Sequence, residues 1–370
     1  MKKIYFYITT ATLVFLLTLS IFILNLDLNY TKYNTLLADD TKKLYQAKRD
    51  SETIDLLFTF KNHKQVNKDN LIYDLKLNQA IQNDIITRIK DNDDLITYES
   101  FYIVNTLRIK AKKRLLTTLL DNPNIEKIES NNQLEQNIGF KTNQVQQNNN
   151  QASDPMWNIE MVNATKLWEQ NIYGEGIIVG VIDTAVDMTH PGLKRKFVGY
   201  DSTTQNINYK DGFLDALEGV NESPNSSMDR EHGTHVTGTI LGSEIDSSNK
   251  EFNKVGVAPK ARFINARALD TNKPDLAVNS VFIRAGQWML SPNGKPENRP
   301  RVINNSWGGG QNDNWYQAML QNWISANITP VFAAGNRRQE DNPNQRPKVV
   351  YPGALDEALT VGAVDINQNL

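Results

Sequence analysis

The sequence predicts an α/β fold, a parallel sheet with helices on both faces, and three observations carry that expectation. Residues 176–182 form a continuous apolar run, the pattern of a strand buried on both faces. Strand-like runs recur at residues 262–266, 301–305, 329–333 and 358–364. Helical patterns fall between them, at residues 276–290 and 312–326, and strand alternating with helix is the signature of a parallel sheet.

The elements upstream of this sheet differ in character. Lys2 and Lys3 precede an uncharged run over residues 4–26, which is 23 residues and long enough to span a bilayer as a hydrophobic helix. A basic start followed by an apolar run reads as an export signal. Cleaved signal and uncleaved membrane anchor both fit, because the nearest small-residue cleavage site, at Ala38, is distant from the run. With two lysines on the inner side, the remainder is expected outside the cell.

Residues 27–130 read as a small α+β module. Residues 98–111 alternate apolar and polar side chains through Tyr102, Val104 and Leu107, which is a strand pattern. Leu115, Leu116, Leu119 and Leu120 then stand at helical spacing, and Asp121, Asn122 and Pro123 end that helix. Residues 125–128 follow as a short strand. Residues 131–153 are rich in Asn and Gln, bury little, and read as a flexible, protease-accessible linker or as a plain spacer. The composition changes at residue 154, and all six tryptophans lie beyond it.

Charge and cysteine exclude several classes. The 370 residues carry 40 basic and 42 acidic side chains, a formal net charge of -2, which points to no nucleic-acid partner. Cysteine is absent, so neither a disulfide framework nor a thiolate metal site is available.

Three motifs carry chemistry. Asp183 ends the first apolar strand, at the sheet edge where ligand and catalytic groups gather. A carboxylate there can accept the Nδ1 proton of a histidine, or simply cap a turn. His232 opens His-Gly-Thr-His, and its neighbours Gly233 and Thr234 leave room for a substrate and for close packing of a helix start. Histidine suits general-base work because its pKa lies near the working pH. His232 and His235 as a metal pair lack a third ligand, and His235 reads as a packed structural histidine. Asn336 follows Ala334 and Gly335 after an apolar strand, where its amide can donate to a developing oxyanion or serve a turn.

Taken together and in this order, these residues resemble the subtilisin-like serine proteases, the subtilases. The resemblance rests on Val181-Ile182-Asp183-Thr184, on Asp187 with His190-Pro191-Gly192-Leu193, and on His232 through Thr239. Asn304-Asn305-Ser306-Trp307-Gly308-Gly309-Gly310, Ala334-Gly335-Asn336 and Val361-Gly362-Ala363-Val364-Asp365 complete it. It covers residues 157–370, the truncated catalytic domain beginning at 154. More weakly, it makes residues 27–130 the family's propeptide.

The resemblance implies a subtilisin-like sheet and peptide-bond hydrolysis of extracellular polypeptides. Asp183 is then the orienting acid, His232 the base and Asn336 the oxyanion donor. Ser306, Trp307 and Gly308 form one wall of the primary specificity pocket, and Ala333, Ala334 and Gly335 the other. Trp307 is large for a pocket edge, so its side chain belongs either there or in the core under the sheet. The propeptide is the chain's own intramolecular inhibitor and chaperone. No cofactor is required for the chemistry. Family members bind calcium, but no dense carboxylate loop in this sequence assigns a site, and the metal stays open. The expected location is a bacterial cell surface or its surroundings, with membrane contact through residues 4–26 if they are uncleaved.

Two departures stand out. Ala185 replaces the family's glycine after the acid, at a cost of about 1 kcal/mol if that backbone needs a positive φ. The family's nucleophile lies in a Gly-Thr-Ser motif downstream of the region matching residues 361–365, whereas residues 326–370 contain no serine. The sequence is therefore expected to be either a fragment of an active endopeptidase or an inactive remnant that at most binds peptides. A chain without the nucleophile forms no acyl-enzyme.

Overall fold

In the computed structural model, residues 35–62, 65–133, 156–245, 251–309, 314–336 and 348–368 are described. The run at 4–26 and nearly all of the Asn/Gln-rich stretch lie outside them. No helix among the described residues is long and apolar enough to cross a membrane. The chain divides into two units, one of residues 1–63, 78–100 and 105–131, the other of residues 64–77, 101–104 and 132–370.

The first unit contains α1 (Asp39–Ala47), β1 (Thr53–Phe60), α3 (Ala80–Ile89), β3 (Thr106–Lys112), α4 (Lys113–Thr117), β4 (Ile125–Ser130) and all of β2 (Leu95–Phe101) but its last residue. A further helix, α2 (Leu71–Asn78), begins in the second unit's share of the chain. The sheet order is β2-β3-β1-β4, with β1 antiparallel to both neighbours. Leu56, Phe58, Leu107, Ile109 and Ile128 alternate inward and pack against Ile85 and Ile89 of α3. The alternation over residues 98–111 resolves into two strands, because Asn105 takes a left-handed turn conformation (φ 46°) between them. Its side-chain amide donates to the Phe60 carbonyl at 3.1 Å and holds that turn.

The second unit is built on a parallel sheet. Its elements are α5 (Trp157–Met161), α6 (Ala164–Trp168), β5 (Ile178–Asp183), β6 (Phe213–Asp215), α7 (Glu231–Leu241), β7 (Glu244–Ile245), β8 (Glu251–Phe252), β9 (Arg262–Arg267), α8 (Asn279–Leu290), β10 (Val302–Asn305), α9 (Asn314–Ser325), β11 (Thr329–Ala333) and β12 (Leu359–Val361). The strand order is β12-β11-β10-β5-β9-β6, and every adjacent pair is parallel. The C-terminal ends of β5, β10 and β11 therefore share one edge of the sheet, and Asp183, Asn305 and Ala333 stand there.

Both faces of the sheet are covered, which is why its central strands read as unbroken apolar runs. On one face Val179, Val181, Phe197, Leu241 and Phe263 form a core. Gly180 lies where α8 crosses β5. A Cβ there would stand 2.7 Å from the Met289 sulfur, so the absence of a side chain lets the helix approach. Trp307 packs against Phe282, Tyr316 and Phe332, with ring centroids 4.4, 6.4 and 5.4 Å away.

Candidate active site

Asp183 is the last residue of β5 and is fully buried. The next residue already leaves the strand. The Thr184 N–H turns back onto Asp183 Oδ1 at 2.7 Å, while the N–H groups of Ala268 and Leu269 donate to the Asp183 carbonyl. Asp183 is thus held at the sheet edge through its carboxylate by the next residue and through its carbonyl by the residues just past β9.

His232 is the second residue of α7, and its Nδ1 lies 2.6 Å from Asp183 Oδ1. The helix start can come this close because of Gly233. A Cβ there would lie 2.6 Å from the Thr184 carbonyl oxygen and 2.8 Å from that of Ala185. The Gly233 N–H instead donates to Thr184 Oγ1 at 2.9 Å, and Thr234 Oγ1 accepts the Asp187 N–H at 2.7 Å. The small residues beside the imidazole serve the packing that the sequence suggested.

Burial disfavours the charged imidazole, but the Asp183 hydrogen bond and charge outweigh it, with Asp229 adding to them. His232 consequently titrates above its ordinary value. Burial pushes the Asp183 carboxyl upward, opposed by His232 and by the Thr184 N–H. A neutral His232 whose Nδ1–H is held by a carboxylate presents Nε2 as a proton acceptor, the arrangement a general base requires.

Two supporting residues were not visible in the sequence. Asn265, fully buried on β9, donates to the carbonyls of Val181 and Thr184 and accepts from the Val186 N–H, bracing the turn after Asp183. Within a strand its only signal is a polar residue at an inward position. Asp229 holds the approach to α7. Its carboxylate accepts from the Glu231 N–H and from the Thr271 hydroxyl, and its carbonyl accepts from the Ala185 N–H. An Asp three residues before a histidine is also a common helix-start pattern, so sequence alone does not single it out.

The remaining predicted residues take these positions. Ser306 directly follows β10, and its Oγ accepts from Asn304 Nδ2 at 3.0 Å. The Trp307 side chain is 1% exposed and its Nε1–H donates to the Ile182 carbonyl at 3.0 Å. Of the two places open to that indole, it takes the core, because the ring finds aromatic neighbours and a buried acceptor there. Only the Trp307 backbone remains for a substrate-facing role. Ala333 ends β11, Ala334 and Gly335 follow, and Asn336 is exposed beyond them. Gly335 has φ 106°, a conformation that disfavours any side chain.

Two expectations are corrected. Ala185 is not among the residues with positive φ, so the strain anticipated there does not arise. His235 is exposed rather than packed. It points into a groove of about 1260 Å³ shared with Asp187, His190 and Leu193. Among the described residues no group of three or more His, Asp or Glu side chains is placed to hold a metal ion.

A buried carboxylate–imidazole pair thus stands at the C-terminal edge of a parallel α/β sheet, an arrangement of the kind that serine-hydrolase acid–base centres use. The subtilase family model matches residues 174–370, and the chain belongs to that family. It is 33% identical over 290 residues to bacillopeptidase F of Bacillus subtilis (strain 168), covering 76% of this chain and 20% of that protein. It is 32% identical over 203 residues to a probable subtilase-type serine protease of Deinococcus radiodurans, covering 53% of this chain and 26% of that one. Subtilisin E of B. subtilis is 27% identical over 214 residues, with 58% and 48% covered. The chain thus spans a fifth to about half the length of these relatives. Among solved structures, the epidermin leader peptide processing serine protease EpiP of Staphylococcus aureus superposes with a TM-score of 0.56 at 19% identity. That match covers 86% of this chain and 71% of the other, and at this identity it shows the fold.

Proposed function

We propose that the chain is the acid–base half of a serine endopeptidase that hydrolyses peptide bonds of extracellular polypeptides. The observation that carries this reading is the 2.6 Å contact between His232 Nδ1 and a fully buried Asp183. In the proposed reaction His232 takes the proton of a serine hydroxyl as it attacks the peptide carbonyl. Asp183 fixes the tautomer and stabilises the imidazolium, and His232 then passes the proton to the leaving amine. Asn336 donates to the oxyanion. The backbone of Ser306–Trp307–Gly308 pairs with the substrate as an added strand. Ala333, Ala334 and Gly335 form the opposite wall of the pocket. The hydroxyl that His232 activates is not assigned to a serine of this sequence.

Residues 27–130 are read as the propeptide, acting as intramolecular inhibitor and chaperone, and residues 131–153 as the segment cut on activation. The relatives' family membership and the first unit's separate core support this reading. The lysines and apolar run at the N-terminus support export to the cell surface or beyond it. A second reading is peptide binding without hydrolysis, which the backbone after β10 and the segment after β11 would serve equally well.

The test is hydrolysis of casein by the product its gene encodes, beside His232→Ala. Hydrolysis lost in the variant supports the endopeptidase. Hydrolysis that survives the substitution overturns it. Peptide binding with no hydrolysis in either protein establishes the second reading.

A further inference from the structure

The two walls of the specificity pocket do not face an open slot. Val350 stands between them, and several contacts fix it there. If Gly308 carried a Cβ, that atom would lie 2.4 Å from Val350 Cγ2. A Cβ on Gly335 would lie 3.0 Å from both Val350 methyls. Both glycines therefore direct their missing side chains at the same isopropyl group, which fills the space each leaves.

The backbone anchors that side chain from both directions. The Val350 N–H donates to the Ala334 carbonyl at 3.1 Å, and the Gly309 N–H donates to the Tyr351 carbonyl at 3.1 Å. The Val350 carbonyl accepts the Ala354 N–H at 3.0 Å. One dipeptide, Val350–Tyr351, is thus hydrogen-bonded to both walls. A β-branched side chain on a pinned backbone has few rotamers to choose from, so the methyls have little room to swing aside. Val350 is only partly buried.

Resting on the endopeptidase reading, we propose that Val350 forms a raised floor in the primary specificity pocket. The enzyme accordingly takes substrates with a small side chain, alanine, glycine or serine, on the acyl side of the cleaved bond. A benzyl or long aliphatic side chain entering between the two glycines would overlap the methyls. Close-packed atoms yield little, so such a substrate binds only by lifting out of the pocket. An alanine methyl rests on the floor without displacing it.

The experiment compares two peptide substrates that differ only in alanine or phenylalanine at that position. It uses the full gene product, Val350→Gly and, should glycine weaken the loop, Val350→Ala. The expected result is a preference for alanine of roughly 10-fold to 200-fold in kcat/KM, the range that hydrophobic pockets achieve. Val350→Gly reverses it and Val350→Ala narrows it. Equal cleavage of both peptides by the unsubstituted protein, or an alanine-to-phenylalanine ratio unmoved by both substitutions, overturns the proposal. Binding of the product peptides ending in alanine or phenylalanine, read by calorimetry, gives the same ratio without hydrolysis. If neither substrate is cleaved, the endopeptidase reading falls, and the binding ratio still decides the role of Val350.

Discussion

The indole Nε1–H of Trp307 donates to the carbonyl of Ile182 at 3.0 Å, and this one bond ties the segment after β10 to the strand that carries Asp183. One wall of the candidate pocket and the candidate acid are therefore positioned by the same buried contact. The indole is enclosed by Phe282, Tyr316 and Phe332, so donor and acceptor are both shielded from water.

Trp307→Phe keeps most of the apolar packing but leaves the Ile182 carbonyl without its side-chain donor. The expected loss is about 1–3 kcal/mol for a buried polar group deprived of its partner. Trp307→Ala removes the ring as well and loses about 3–5 kcal/mol. Chemical denaturation followed by near-UV circular dichroism checks both, and a Trp307→Phe variant as stable as the unsubstituted protein would show that the hydrogen bond carries nothing.

Gly233→Ala places a methyl within 2.6 Å of a backbone oxygen of the turn after Asp183. Backbone held by Asn265 cannot give way cheaply, so the first turn of α7 has to lift. The expected result is a loss of about 1–3 kcal/mol, the usual penalty of overpacking. His232 then moves away from Asp183. An imidazole NMR signal unchanged in chemical shift and pKa would contradict this.

His232 binds its proton more tightly in the folded chain than its ordinary value of 6.5, because Asp183 outweighs the effect of burial. The sign follows directly. The stability contributed is fully present below the unfolded value and is lost as pH rises through the folded one. Titration of the His232 ring by NMR should give a pKa above 6.5, and Asp183→Asn should lower it. In the proposed enzyme the acidic limb of kcat/KM should follow the same value, since only the neutral imidazole accepts a proton. A limb that stays in place when the ring pKa moves would separate His232 from the chemistry.

Arg267, paired in register with Asp183, bridges Asp215 and Asp270 in a cluster of which every member is at most 1% exposed. Arg267→Met leaves two buried carboxylates facing each other and is expected to destabilise by about 3–5 kcal/mol. Adding Asp215→Asn and Asp270→Asn to that variant should recover a large part of the loss, which thermal unfolding of the single and triple variants measures. No recovery would mean that the cluster acts through packing rather than charge.

Much of this architecture is legible in the residues themselves. The unbroken apolar run before Asp183 marks a strand covered on both faces, and the turn and helix residues around His232 mark a tight junction. The first unit is less legible. β1 (Thr53–Phe60) does alternate, with Ile54, Leu56, Phe58 and Phe60 inward against Thr53, Asp55 and Thr59, and only Leu57 breaks the pattern, yet its pairing with β3 and β4 is a long-range contact that no period shows. The alternation at residues 98–111 looked continuous because a left-handed Asn105 keeps the polar pattern while reversing the chain.

Local chemistry determined which residue types stand at the sheet edge: an acid, an imidazole and an amide after apolar strands, with glycine where backbones meet. Only the tertiary structure decided which atoms meet. It sent the Trp307 ring into the core, drew Asn265 and Asp229 to the Asp183–His232 pair, and set Val350 against Gly308 and Gly335. Those contacts join residues tens of positions apart, through strand order and close packing. Periodicity and spacing report only on neighbours along the chain, so neither could carry that information.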